Sequence, residues 1–135
     1  MATQIFVNLP VKNLDKSIEF FTKLGYTFNP QFTDANATCM NIGENIFAML
    51  LVEEFYKTFT KKEIADTSRT SEVQLALTAE NREQVDEMVY KALAAGGTAP
   101  NDKQDHGYMY GWGFEDLDGH HWEIFWMNPD HVQQG

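Results

Sequence analysis

The 135-residue sequence predicts an α+β fold made of two modules, each of the order βαβββ. A strand-to-helix junction occurs twice, at Leu9-Pro10-Val11-Lys12-Asn13 and at Leu77-Thr78-Ala79-Glu80-Asn81. A helical apolar stripe follows each junction, and short β-rich runs separated by polar turns follow each helix. Setting one junction over the other aligns Phe6 with Gln74 and Phe20 with Met88. Identity between the halves is slight, so the order of elements carries the duplication.

In the first half, Ile5–Val11 is apolar with β-branched members and reads as a strand. Asn13 is placed to cap a helix in which Leu14, Ile18, Phe21 and Leu24 recur at helical spacing, and Gly25 closes it. Phe28–Thr33, Ala37–Ile42 and Ile46–Val52 read as strands, with turns at Asp34-Ala35-Asn36 and Gly43-Glu44-Asn45. A helix carrying Phe55, Tyr56, Phe59 and Ile64 is expected within Glu53–Ser71, and its polar end, Asp66–Ser71, reads as a linker.

In the second half, Val73–Leu77 reads as a strand, and Asn81 with Gln84 forms a capping box. Val85, Met88, Val89, Ala92 and Leu93 make the clearest helical stripe of the chain, ended by Gly96-Gly97. Tyr108–Phe114 and His121–Trp126 read as strands joined by the Asp116-Leu117-Asp118-Gly119 turn; Thr98–Gly107 is turn-rich and holds at most a short strand. The expected layout is one domain over 1–135, with modules at 1–53 and 72–127, a connector at 54–71 and a tail at 128–135.

Composition narrows the function. A formal charge of −10 repels phosphate backbones and anionic lipid heads, so neither nucleic acid nor a membrane surface is an expected partner. Arginine occurs only at Arg69 and Arg82, which leaves little for a bidentate clamp on a carboxylate- or phosphate-rich ligand. The longest apolar run, Ile46–Val52, falls far short of the roughly 20 residues of a membrane span. Met1-Ala2-Thr3-Gln4 lacks the basic and apolar regions of a signal peptide, and a lone Cys39 allows no intrachain disulfide; a cytoplasmic setting is expected.

Two motifs carry a family resemblance. Leu9-Pro10-Val11-Lys12-Asn13-Leu14-Asp15-Lys16-Ser17-Ile18-Glu19-Phe20-Phe21-Thr22-Lys23-Leu24-Gly25 opens the chain, and Glu115-Asp116-Leu117-Asp118-Gly119-His120-His121-Trp122-Glu123-Ile124 closes it. Together they resemble the opening helix and closing hairpin of the vicinal oxygen chelate superfamily of glyoxalases, bleomycin-resistance proteins and extradiol dioxygenases. Leu117 stands where proline is usual, a departure confined to the turn. The resemblance implies two βαβββ modules whose curved mixed sheets form an open cup. In metal-dependent members one divalent ion takes a ligand from the first and fourth strand of each module and acts as a Lewis acid.

Carried over position by position, the resemblance puts Glu123 and Gln74 at metal-ligand sites. Phe6 stands at the third, and Ile46–Val52 offers no carboxylate, imidazole or amide for the fourth; the Met49 thioether suits a hard divalent ion poorly. The expected state is therefore cofactor-free, the alternative being one divalent metal ion on Gln74 and Glu123 with His106 or His121 recruited. His120 is read as part of the hairpin turn.

The preferred reading is a homodimeric binding cup for an aromatic or cationic small molecule, as in the bleomycin-resistance branch. Tyr108, Tyr110 and Trp112, set among three glycines, are expected to form a stacking wall, with Phe6, Phe47, Gln74 and Trp126 completing the cup. Glu123 within this aromatic lining would serve as an anionic contact or a general base, assisted by His121 or His106. The competing readings are a metal-dependent lyase or dioxygenase and a metal-free enzyme using Glu123. Glutathione-linked isomerisation and fosfomycin-type transfer are disfavoured by the scarcity of basic anchors.

Overall fold

The computed structural model describes residues 3–132, the last two by their backbone alone. The reading of Met1-Ala2 as unsignalled and the end of the tail at 133–135 lie outside the described residues. The chain divides into two compact units, Met1–Asp66 and Thr67–Gly135.

The first unit runs β1 (Ile5–Val11), α1 (Leu14–Leu24), β2 (Thr27–Asn29), β3 (Ala37–Gly43), β4 (Ile46–Val52) and α2 (Glu53–Tyr56). Its four strands form an open mixed sheet in the order β1-β4-β3-β2, with β1 and β4 parallel and the other pairs antiparallel. Helix α1 starts where the Asn13 side chain accepts from the Lys16 N–H at 3.0 Å. It stops at Gly25, whose φ of +107° is left-handed backbone that only glycine adopts freely. Phe20, Phe21 and Leu24 are fully buried, each adding roughly 1.5–3 kcal/mol of hydrophobic stabilisation.

The second unit runs β5 (Gln74–Thr78), α3 (Arg82–Ala94), β6 (Gln104–Asp105), β7 (Met109–Glu115), β8 (His121–Met127) and α4 (Pro129–Val132). Its sheet repeats the first one's topology, β5-β8-β7-β6, again with a parallel pair between its first and last long strands. Asn81 caps α3 by accepting from the Gln84 N–H at 2.8 Å, and Gln84 reaches back to the Glu80 N–H at 2.9 Å, one residue short of a strict capping box. Val85, Val89 and Ala92 are buried beneath the helix.

Two expectations change, and a third, the short strand within Thr98–Gly107, is met. The strand expected over Phe28–Thr33 stops at Asn29, because Pro30 has no N–H and the Asn29 side chain caps Gln31 N at 2.9 Å, starting a 3-10 turn over Pro30–Phe32. The helix expected within Glu53–Ser71 is only Glu53–Tyr56 with a 3-10 turn at Lys57–Phe59, and Ile64 is outside it. Thr58 donates to the Phe55 carbonyl at 2.7 Å and Thr60 accepts from Lys62 N at 3.1 Å, local bonds that compete with continued helix. The turn-rich Thr98–Gly107 holds a two-residue strand and one isolated bridge, Thr98 with Glu115. Among the described residues no helix is long and apolar enough to cross a membrane.

Candidate functional site

The site is built on β8 and the face it shares with its neighbours. Cross-strand partners share a face, and β7 pairs with β8 so that Phe114 faces Trp122, Trp112 faces Ile124 and Tyr110 faces Trp126. This set lies under α3: the Tyr110 hydroxyl donates to Asp86 at 2.6 Å, and the Trp112 ring meets Tyr90 edge-on at 5.1 Å. The alternate residues, His121, Glu123 and Phe125 on β8 with Glu115, Gly113 and Gly111 on β7, lie on the uncovered face.

On that face Gln74 of β5 pairs in register with His121. His121 Nε2 and Glu123 Oε2 are joined in a hydrogen bond, the expected contact for residues two apart on a strand. Glu123 is 31% exposed and His121 13%. Gly113 lies directly across from Glu123, and the glycine has a steric reason. A Cβ there would meet Trp122 O at 2.7 Å and Glu123 Cδ at 2.9 Å, and would collide with Glu123 Oε2. Any side chain at 113 would therefore displace the carboxylate. Gln74, His121, Glu123 and Gly113 form one side of an open hollow of about 490 Å³, and Asn101, Asp102 and Gln104 form the other.

The lining decides the chemistry. It holds two carboxylates, three amides and an imidazole, with no lysine or arginine and no aromatic carbocycle. Within the second unit the hollow beside Glu123 is thus lined by polar side chains, and Tyr108, Tyr110, Trp112 and Trp126 do not form the expected stacking wall as a unit. Tyr110 and Trp112 turn toward α3, Tyr108 precedes β7 and is 40% exposed, and Trp126 lies beneath the Arg82 guanidinium at 5.3 Å. His106 is exposed, its ring 6.4 Å from that of Tyr108, and it is not among the residues of the hollow. Phe6 and Phe47 belong to the first unit, where they stack at 4.8 Å and 15°. Asn101, Asp102 and Gln104 were not anticipated, since their turn-rich segment carries no periodic pattern.

The closing turn holds β8 in place. Asp116 Oδ1 accepts from Asp118 N at 2.9 Å and His120 N at 3.0 Å, while Oδ2 accepts from the Trp122 indole at 3.0 Å. Burial pushes the Asp116 carboxyl above the ordinary range, and the His120 charge and these hydrogen bonds oppose that push. Gly119, at φ +79°, brings the turn against Thr67, whose hydroxyl donates to Asp118 O. His120 is buried, with Nδ1 at 2.8 Å from Glu72 Oε1. Its position in the hairpin is structural.

A divalent ion of the kind the resemblance implies does not fit the side chains present. Gln74, His121 and Glu123 supply donors in the second unit, but the matching positions in the first carry Phe6, Phe47 and Met49. Among the described residues no three His, Cys, Asp or Glu side chains gather to hold a metal.

Residues 3–43 match a family model described as bleomycin resistance protein-like N-terminal. No curated protein matches the chain. Among solved structures, the hypothetical protein SA1046 from S. aureus is 29% identical over 93% of this chain and 94% of its own, with a TM-score of 0.78. A glyoxalase/bleomycin resistance protein/dioxygenase family enzyme from Burkholderia phytofirmans is 18% identical over 93% and 99%, with a TM-score of 0.79. The fosfomycin resistance protein FosX from Mesorhizobium loti is 10% identical over 98% of both chains, with a TM-score of 0.70. The chain thus has the glyoxalase/bleomycin-resistance/dioxygenase fold of the vicinal oxygen chelate superfamily, and its first module carries the bleomycin-resistance-like sequence pattern.

Proposed function

We propose that the second module binds a small cationic ligand, a protonated amine, without a metal ion. The observation that carries this reading is the lining of the hollow: Glu123 and Asp102 with Gln74, Asn101, Gln104 and the imidazole of His121, and no lysine or arginine. A protonated amine placed there donates to carboxylate and amide oxygens, replacing the hydration those oxygens lose. The Glu123 carboxylate is held in place by His121 and by the space over Gly113, so little ordering is needed on binding. Of the two ligand classes expected from sequence, the cationic one is favoured, because the second unit's Tyr110 and Trp112 turn toward α3.

Titration calorimetry with spermidine, benzylamine and bleomycin, against phenylacetate as an anionic control, tests this. Bleomycin is included because it names the matched family model. Binding of an amine that weakens with added salt supports the reading; binding of phenylacetate alone overturns it. For the working assembly we propose a homodimer, with Ile5 (53% exposed), Phe6 (49%) and Ile46 (41%) as apolar surface for a second copy to cover. Light scattering that returns the mass of one chain at micromolar concentration overturns that part.

The His121–Glu123 contact favours one second reading, a metal-free enzyme in which Glu123 takes a proton from a bound carbon acid and His121 orients the carboxylate. Its signature is solvent deuterium entering the ligand's carbon in wild type and not in Glu123→Gln. Absence of exchange in wild type with any bound ligand overturns it.

A further inference from the structure

We propose that Arg82 and Lys103 are positioning residues: they fasten the Asn101–Asp105 segment to α3 on one side so that Asp102 and Gln104 line the Glu123 hollow on the other. The purpose assigned to them rests on the amine-binding reading, whereas the fastening itself does not.

The segment has little backbone support of its own. Its ladder with β7 is two residues long, Gln104 with Gly111 and Asp105 with Tyr110. So short a strand is easily opened unless side chains hold it. Alternation along it separates two roles. Lys103 and Asp105 turn to the helix, Gln104 turns to the hollow, and Asn101 and Asp102 form the ridge between this hollow and a second one floored by Trp112.

Three α3 residues at four-residue spacing, Arg82, Asp86 and Tyr90, receive the helix-facing side. Arg82 donates from Nη1 to Asp105 Oδ2 at 2.8 Å and from Nη2 to the Gly107 carbonyl at 3.0 Å. Its guanidinium also lies 5.1 Å from the Tyr110 ring centroid and 5.3 Å from that of Trp126. Lys103 Nζ stands 3.5 Å from Asp86 Oδ1, donates to the Tyr90 hydroxyl at 3.3 Å, and lies 4.8 Å from the Trp112 centroid. The Trp112 indole donates to the Asn101 carbonyl at 3.1 Å, so the far end of the segment is tied to the same network. The Asp105 carboxyl is held below the ordinary range, first by the Arg82 hydrogen bond and then by that of Gly107 N–H. The ion pairs are exposed and weak singly, but with the part-buried Trp112–Asn101 bond they converge on a stretch of few residues.

Electrostatics separates positioning from a simple charge effect. Removing a positive charge near an acid-lined hollow by itself strengthens the binding of a cation. Loss of positioning weakens it. The experiment uses the full chain and the variants Arg82→Met, Lys103→Met and Lys103→Arg, with amide hydrogen exchange read by mass spectrometry and spermidine as the calorimetric probe. Each methionine variant is expected to raise exchange across 101–107 about tenfold, with the first unit's β3 and β4 unchanged. Spermidine affinity is expected to fall about fivefold, against the direction of the charge change, and Lys103→Arg should restore both readouts. Asp102→Asn should add little further loss on the Lys103→Met background, since both act through the same side chain.

Unchanged exchange over 101–107 overturns the fastening. Faster exchange with equal or tighter spermidine binding, or full additivity with Asp102→Asn, overturns the positioning. If wild type does not bind spermidine while exchange rises as expected, the amine reading fails and the fastening stands.

Discussion

The two modules lay the same strand registers over opposite chemistry. Phe6 pairs with Phe47 on β1 and β4 as Gln74 pairs with His121 on β5 and β8, and Asn8 with Met49 corresponds to Ala76 with Glu123. Across the antiparallel pairs, Cys39 faces Met49 where Gly113 faces Glu123. One frame thus presents stacked rings, a thioether and a thiol in the first unit, and an amide, an imidazole and a carboxylate over bare backbone in the second. The backbone supplies positions only; what occupies them decides whether a face can bind a polar ligand.

The sharpest way to break this comparison is at Gly113 and Cys39. Gly113→Ala drives a methyl into Glu123 and the Trp122 carbonyl, and is expected to cost about 3 kcal/mol in urea unfolding and to abolish amine binding. Cys39→Ala at the matching position removes one buried sulfur and should cost only about 1 kcal/mol and leave binding intact. Equal losses at the two positions would mean that the glycine has no special role.

Alkali probes the first module through Tyr26. Burial, with Phe21 edge-on at 6.2 Å, pushes its hydroxyl from 10.0 up to about 12. Since the unfolded chain loses this proton first, stability is expected to fall as pH rises through that interval, by about 2 kcal/mol. Unfolding free energies of wild type and Tyr26→Phe at pH 9 and pH 11.5 check it; parallel losses in both proteins would exclude Tyr26 as the source.

On the binding face, Glu123→Gln keeps the shape of the side chain and removes its charge. Amine affinity is expected to fall about tenfold, some 1.4 kcal/mol, with little change in unfolding. Calorimetry on the variant decides this, and unaltered affinity would move the cation site away from β8. Phe6→Ala, at the position matching Gln74, should cost under about 1.5 kcal/mol through the lost ring stack and leave amine affinity within error. A smaller change is expected in acid: the fastening through Asp105 is complete above its ordinary value of 3.8 and is lost as pH falls through its lower folded value. Fluorescence of Trp126, beneath Arg82, reports that loss.

Much of this architecture was legible from residue pattern. Asn13, Gly25, Asn81 and the Asp116–Gly119 turn mark element ends by local chemistry, and local chemistry is what a sequence displays. The face of the glycine-aromatic run was legible too, by counting outward from the turn. Glu115 opposite His121 puts Gly113 opposite Glu123 and leaves Trp112 on the other face. Alternation alone, without that count, joins Tyr110 and Trp112 to Glu123 wrongly. Asp102 and Gln104 were not legible, because their placement depends on long-range contacts from Arg82 and Lys103 that no short pattern encodes. In the sequence Arg82 reads only as one of two arginines, scarce for clamping an anionic ligand, and nothing local marks it as a tie to its own chain.

The distribution of two rare residue types gives each module its own built-in reporter. The single thiol, Cys39, is buried in the first sheet, where burial also raises its pKa and slows reagents. All three tryptophans, at 112, 122 and 126, belong to the second unit. In one sample, thiol labelling therefore times the opening of one module while fluorescence times that of the other, with no engineered probe. Coincident clocks would mean that the two halves unfold as one cooperative body, and separate clocks that each half opens on its own.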